Sequence, residues 1–167
     1  RRPAHRRGTH DKSNLANERQ EKSMQTETTI LAPAAVLAGW SMIVFLWLLA
    51  RRLPAFKAAG VVLGEMPPGA RGGDGEAQMP AKANWISHNY THLMEQPTVF
   101  YPVVIMLALM GDNSTVSVNL AWAYTGLRIL HSLWQANVNT IPIRFALFGF
   151  ASACLITLVV RAVLLAL

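Results

Sequence analysis

The longest charge-free segment of the chain is the feature that most limits its fold. Residues 30–50 are 21 consecutive residues without Asp, Glu, Lys or Arg. A helix rises ~1.5 Å per residue, so this segment can cross a hydrocarbon core of ~30 Å. Only helices and closed barrels satisfy their backbone hydrogen bonds in lipid, and the segment is too long for a barrel strand. The sequence therefore predicts a transmembrane helix here.

The composition also indicates an integral membrane protein. Of the 167 residues, 52% are hydrophobic and only 14% are charged, whereas a soluble domain carries about 25% charged residues. Three further apolar segments follow, and the one at 97–110 is too short to span unless its helix begins in the polar stretch before it. We predict an all-α integral membrane four-helix bundle, with helices at about 30–50, 86–111, 116–137 and 141–167.

The net charge of +6 comes mostly from one end of the chain. Residues 1–23 contain seven basic and three acidic residues and therefore supply +4. Few apolar residues precede Met24, so we expect a disordered, solvated basic tail rather than a nucleic-acid-binding arm. A translation start at Met24 is an alternative to this interpretation, and it would place the tail upstream of the protein.

The connection between the first two predicted helices sets the orientation. Residues 51–84 contain six glycines and four prolines, which predicts a loop. The same segment contains five basic residues, and the predicted turn near Asp112 contains none. Because basic residues concentrate in cytoplasmic loops, we expect the 51–84 loop to be cytoplasmic. Arg161, close to the end of the chain, is expected to extend to the far interface without a function.

Several polar side chains lie at membrane depth in these predicted helices. Each ionisable one costs ~2.5–3.5 kcal/mol there and so needs a partner or a function. Steps of three and four residues place them on one face of each helix, and Arg144 opens the last helix on the same side. The candidate site residues are Asn89, His92, Glu95, Arg128, His131, Gln135 and Arg144. Together they predict a polar pocket for an anionic, peptide-like ligand.

Other interpretations of these residues stay open. Glu95 and Arg128 also fit an ion pair that keeps two helices in register. His88, His92 and Glu95, joined by His131, fit a zinc or iron site, but no other histidine cluster completes the ligand shell, and we assign no metal ligands. The polar side chains also fit the core of a homo-oligomer that binds lipid without turnover.

Three stretches of the second half carry recognisable motifs. Residues 89–101 read NYTHLMEQPTVFY, residues 121–133 read AWAYTGLRILHSL, and residues 142–144 read PIR. With these motifs, the segment from His88 to Leu167 resembles the MAPEG family, the membrane-associated proteins in eicosanoid and glutathione metabolism. A bacterial branch has the pattern N-[FY]-x-N-L-x-E-x-P-V-L-F-Y on the second helix. The family's third helix carries Arg-x-x-His, and its fourth opens with Pro-x-Arg.

The resemblance implies a homotrimer in the lipid bilayer, with glutathione as co-substrate bound between subunits near the cytoplasmic face. It implies that Arg144 stabilises the glutathione thiolate, and that Arg128 and Glu95 contact the tripeptide. The remaining candidates, Asn89, His92, His131 and Gln135, would position it. The implied location is a bacterial inner membrane.

The implied activity is a glutathione-dependent transferase or peroxidase acting on hydrophobic small molecules. A thiol with a pKa of ~8.5 is mostly protonated at neutral pH, and a nearby cation favours the reactive thiolate. Four positions depart from the better-known members of the family. His88 replaces an arginine, His92 an asparagine, Gln135 a tyrosine, and Phe145 a serine found in one branch. The alternative is a non-catalytic membrane protein that binds lipid or a small ligand.

Overall fold

The computed structural model describes residues 7–167 of the chain, and these residues form no strand. Two short 3-10 helices, Leu63–Glu65 and Gly72–Gln78, lie between the first two α-helices. The α-helices are α1 (Arg7–Ala58), α2 (Ala81–Leu93), α3 (Pro97–Leu109), α4 (Thr115–Asn137) and α5 (Ile141–Ala166). The prediction of an all-α fold is confirmed.

The described residues contain five α-helices instead of the four predicted. The helix expected at 86–111 is divided into α2 and α3 by a turn at residues 94–96. Pro97 has no N–H to donate to the preceding turn, and its ring crowds the carbonyl four residues before it. The amides of Thr98 and Val99 instead bond to the carbonyls of Glu95 and Gln96 at 3.2 and 2.9 Å. Pro97 thus starts a new helix, as proline commonly does.

The first helix is longer than the apolar segment that predicts it. It begins at Arg7, so residues 7–23, expected to be a disordered tail, are helical here, and residues 1–6 lie outside the described residues. At its other end it continues to Ala58, so the connection to α2 is shorter than the expected 51–84 loop.

In the described part of the chain, two stretches are long and apolar enough to cross a membrane, Thr29–Ala58 and Ile141–Ala166. On α1, Ile30, Leu37 and Val44 are fully buried at steps of seven residues, which places them on one face. They belong to one core that includes Phe100 of α3 and Leu158 of α5. The opposite faces expose large apolar side chains to the surroundings. A helix that is apolar on both faces suits contact with lipid.

The connection between α1 and α2 is tied to both helices. Arg52 is buried and donates hydrogen bonds to the Ser87 hydroxyl and the Gly72 carbonyl. It also pairs with Glu76 at 3.3 Å, and the other Glu76 oxygen lies 2.8 Å from Nε2 of His88. Burial raises the pKa of the Glu76 carboxyl, but His88 and Arg52 outweigh this effect and lower it overall. The segment is therefore packed against the bundle.

A polar cluster closes the opposite end of the bundle. Asp112, in the turn between α3 and α4, pairs with Arg161 of α5 at 3.1 Å, and the Asp112 side chain is only 6% exposed. Ser117 donates to Asp112 at 2.5 Å and accepts from Nε of Arg161 at 2.7 Å. Burial raises the pKa of Asp112, but hydrogen bonds from Ser117, Ser114 and Arg161 hold it at about 2. Arg161 therefore joins α5 to this turn, instead of extending alone to the interface as expected.

Candidate functional site

A groove of about 380 Å³ lies between the ends of α2, α4 and α5. Three of the predicted site residues line it, namely His92 of α2, His131 of α4 and Arg144 of α5. The apolar side chains Ile141, Phe145 and Phe148 complete the lining. The groove therefore combines a cationic and imidazole-rich wall with an aromatic one.

The turn between α4 and α5 positions Arg144. Asn139 has a positive φ of 62°, a conformation that asparagine adopts more readily than most residues, and it reverses the chain. Its Oδ1 accepts a hydrogen bond of 2.7 Å from one terminal nitrogen of Arg144. The Nε atom of Arg144 is buried and has no hydrogen-bond partner in the described part of the chain. The guanidinium is thus oriented by the bond to Asn139, and its buried Nε donor is left unpaired among the described residues.

His92 is the centre of the imidazole wall. Its ring centroid lies 4.9 Å from that of His131 and 5.3 Å from that of Phe148. Its Nδ1 lies 2.7 Å from a carboxylate oxygen of Glu95, three residues further along. Glu95 itself is largely exposed, with 59% of its side chain accessible, and does not line the groove. Glu95 therefore orients an imidazole that faces the groove.

Arg128 is completely buried behind His92. It donates a 2.6 Å hydrogen bond to the His92 carbonyl, and a second guanidinium nitrogen lies 3.4 Å from Nε2 of the same residue. Carbonyls in the last turn of a helix lack intrahelical partners, and Arg128 satisfies one of them at the end of α2. Among the side chains that the structure describes, no carboxylate lies within ion-pair distance of Arg128. The ion pair between Glu95 and Arg128, one of our interpretations, is therefore not formed.

Asn89 and Gln135 also lie behind the groove instead of lining it. Asn89 is fully buried and donates to the Ser132 hydroxyl at 2.8 Å, and the same hydroxyl accepts from Nε1 of Trp40 at 3.1 Å. This arrangement joins α1, α2 and α4. Gln135 is buried, and its Oε1 has no hydrogen-bond partner among the described side chains and backbone.

The histidines and acids do not converge as a metal site would require. His88 points to Glu76 in the preceding connection, whereas His92 bonds to Glu95. Within the described residues, no group of three or more His, Cys, Asp or Glu side chains could hold a metal ion. The structure thus offers no support for the zinc or iron interpretation.

Sequence reasoning missed two kinds of residue that shape this region. Phe148 lines the groove one turn after Arg144, and this spacing of four residues on one helix face could have identified it. Ser132, four residues after Arg128, is buried and accepts two hydrogen bonds from other helices. A small hydroxyl residue in an apolar helix gives only a weak signal of such a role.

These features describe a helical protein with two helices long and apolar enough to cross a membrane and a basic groove at one end of its bundle. The chain belongs to the MAPEG family, whose model matches residues 30–164 and so well over half of the chain. The family is membrane-bound and helical, and it serves glutathione and eicosanoid metabolism, as the sequence motifs predict. No curated protein and no solved structure matches the chain.

Proposed function

We propose that this protein is a membrane-bound glutathione-dependent transferase or peroxidase that acts on lipophilic electrophiles. The observation that carries the proposal is the position of Arg144, which lines the groove and keeps a buried N–H donor without a partner in the described chain. A cation in a site of low dielectric constant favours the thiolate form of a nearby thiol. Arginine suits this role because it stays charged when partly buried.

The charge balance of the groove supports the same ligand. Arg128 lies directly behind His92 and has no carboxylate partner among the described residues, while Glu95 is bonded to His92 and exposed. Arg144 and Arg128 therefore contribute a positive potential that no directly paired acid cancels. Such a potential attracts the carboxylates of a peptide such as glutathione. In this proposal Arg144 contacts the ligand, whereas Arg128 acts through its charge and through the backbone of His92.

The apolar wall supports a hydrophobic second substrate. Phe145 and Ile141 are each 75% exposed and continue the groove towards the outer surface of α5. A lipophilic electrophile can reach this wall from the membrane. Attack by the thiolate then forms a bond from sulfur to the electrophilic carbon, and the leaving group departs with the bonding electrons.

We further propose that the groove faces the cytoplasm of a bacterial cell and is completed by a neighbouring subunit of a homotrimer. The five basic residues at 51–84, which lie at the end of α1, in the connection and at the start of α2, support the orientation, because such residues concentrate on the cytoplasmic side. The exposed aromatic edge of the groove supports the oligomer, because large exposed apolar side chains suit a subunit interface.

A second candidate is a non-catalytic membrane protein that binds lipid or a small ligand. One observation favours it: Arg128, expected to contact glutathione, is fully buried and its hydrogen bonds go to His92. In this case the polar side chains mainly hold α2 against α4.

Isothermal titration of the detergent-purified protein with glutathione separates these candidates. The proposal predicts binding that Arg144→Ala weakens by at least tenfold and that Arg71→Ala, a change of an exposed arginine outside the groove, leaves unchanged. It also predicts consumption of glutathione with a panel of electrophiles and peroxides. Binding without turnover would support the second candidate, and no binding at millimolar glutathione would overturn the first.

A further inference from the structure

A second polar cavity, of about 390 Å³, lies between α1, α2 and the last turn of α4. Its lining includes two cations, Arg51 and Lys82, together with Trp47, Ile86 and Asn137, and it contains no Asp or Glu. None of its lining residues belongs to the groove lined by His92, His131 and Arg144. We propose that this cavity binds the headgroup of an anionic phospholipid.

The two cations are available for a ligand. Arg51 and Lys82 are exposed, and the side chain of neither makes a hydrogen bond or ion pair with another described residue. The neighbouring Arg52 shows the contrast, because it is buried and bonded to Ser87, Gly72 and Glu76. Arg52 therefore stabilises the fold, whereas the adjacent Arg51 faces the cavity.

The backbone of α2 adds to the positive potential. Lys82 lies in the first turn of this helix, where the backbone N–H groups lack intrahelical acceptors and the helix dipole is positive. Pro80, which precedes the helix, provides no side-chain cap for these groups. An anionic phosphate in the cavity is therefore favoured by the helix dipole as well as by the two side-chain cations.

The position of the cavity along α1 selects a lipid over a soluble phosphate. The charge-free run of α1 ends at residue 50, so Arg51 lies where the apolar span meets the polar headgroup region. Trp47 lies one turn inside this boundary, the depth at which tryptophan is enriched in membrane proteins. Trp47 and Ile86 provide an apolar side for the upper part of the acyl chains.

Fluorescence quenching tests this proposal on the full chain. The protein is reconstituted into vesicles of four parts phosphatidylcholine and one part phosphatidylglycerol, with either lipid carrying brominated acyl chains. The quenching at Trp47 is obtained as the difference in fluorescence quenching between the unmodified chain and its Trp47→Phe variant. Each cation near the membrane surface contributes about fivefold to the affinity for anionic lipid. We therefore expect the preference for phosphatidylglycerol at Trp47 to fall about fivefold in Arg51→Gln. It should fall further in the double variant that also carries Lys82→Gln.

The controls decide what the preference means. Lys57→Gln removes an exposed cation of α1 that does not line the cavity, and it should keep the preference. Higher salt should weaken the preference in the unmodified chain, which tests the charge effect without a variant. The proposal is overturned if the unmodified chain shows no preference or the double variant retains it. It is also overturned if millimolar inorganic phosphate abolishes the preference, since the ligand would then be a soluble anion.

Discussion

Replacing Asp112 by asparagine is expected to destabilise the protein by about 2 kcal/mol at neutral pH. The magnitude follows from the pKa of this carboxyl, which falls from the ordinary 3.8 to about 2 in the folded protein. A difference of this size corresponds to about 2 kcal/mol of free energy of unfolding. The side chain is 6% exposed, so solvent screens the interaction only weakly. Asparagine keeps the shape but removes the charge that Arg161 pairs with.

The pH dependence gives this prediction its sign. The folded pKa lies below the unfolded one, so the stabilisation is complete above about pH 4 and is lost as the pH falls towards 2. Thermal unfolding of the purified full chain in detergent, at pH 7 and near pH 2, measures both limits. We expect the variant to unfold more easily at pH 7 and the two chains to become similar at the acid limit.

A matched control is Glu65→Gln, since Glu65 is exposed and makes no hydrogen bond or ion pair with its side chain among the described residues. It should leave the unfolding transition unchanged. Equal stability of Asp112→Asn and the unmodified chain at pH 7 would refute the assignment of Asp112 and Arg161 as a stabilising pair. A difference that persists unchanged at pH 2 would refute the charge-based explanation.

Two further substitutions test the packing behind the groove and the packing of the connection between α1 and α2. Ser132→Ala removes the hydroxyl that accepts hydrogen bonds from both Asn89 and Trp40, and should lower the free energy of unfolding by about 1–3 kcal/mol, as measured by thermal unfolding. Thr157→Ala, on the exposed face of α5, is the control and should change it little. Gly75→Ala would place a methyl group 2.8 Å from a ring carbon of Phe56 and should loosen the connection between α1 and α2, seen as faster proteolysis there. Phe56→Leu in the same chain should relieve this effect, and unchanged proteolysis of Gly75→Ala would contradict the packing described here.

The membrane character of the fold could be predicted because it depends on composition and periodicity. The charge-free run at residues 30–50 and the apolar last helix can both be recognised without knowledge of any tertiary contact. The division between α2 and α3 was missed, although Pro97 was visible in the sequence. We predicted a continuous helix because the apolar segment alone is too short to span a membrane. In the structure the steric effect of Pro97 ends one helix and starts the next.

The site was predicted only in part because spacing gives a helix face but not the direction of a side chain. His92, His131 and Arg144 face one groove, as their common position near the helix ends suggested. Arg128 lies at the expected depth along α4, but its side chain turns inward. The end of α2 leaves the His92 carbonyl without a helical donor, and Arg128 provides one. Arg161 was assigned no function because its place near the end of the chain suggested that it extends to the interface, and its partner Asp112 lies 49 residues away in sequence.

The most direct test of the central claim is the ionisation of glutathione bound to the purified protein, followed by the ultraviolet absorbance of its thiolate as pH is varied. A groove with Arg144 at its wall predicts a bound thiol with a pKa below the ~8.5 of a free one, and a return towards that value in Arg144→Ala. Arg144→Lys should keep part of the effect, and Arg71→Ala all of it. A bound thiol that titrates like free glutathione, or one that is equally ionised in Arg144→Ala, would contradict the proposed role of this groove.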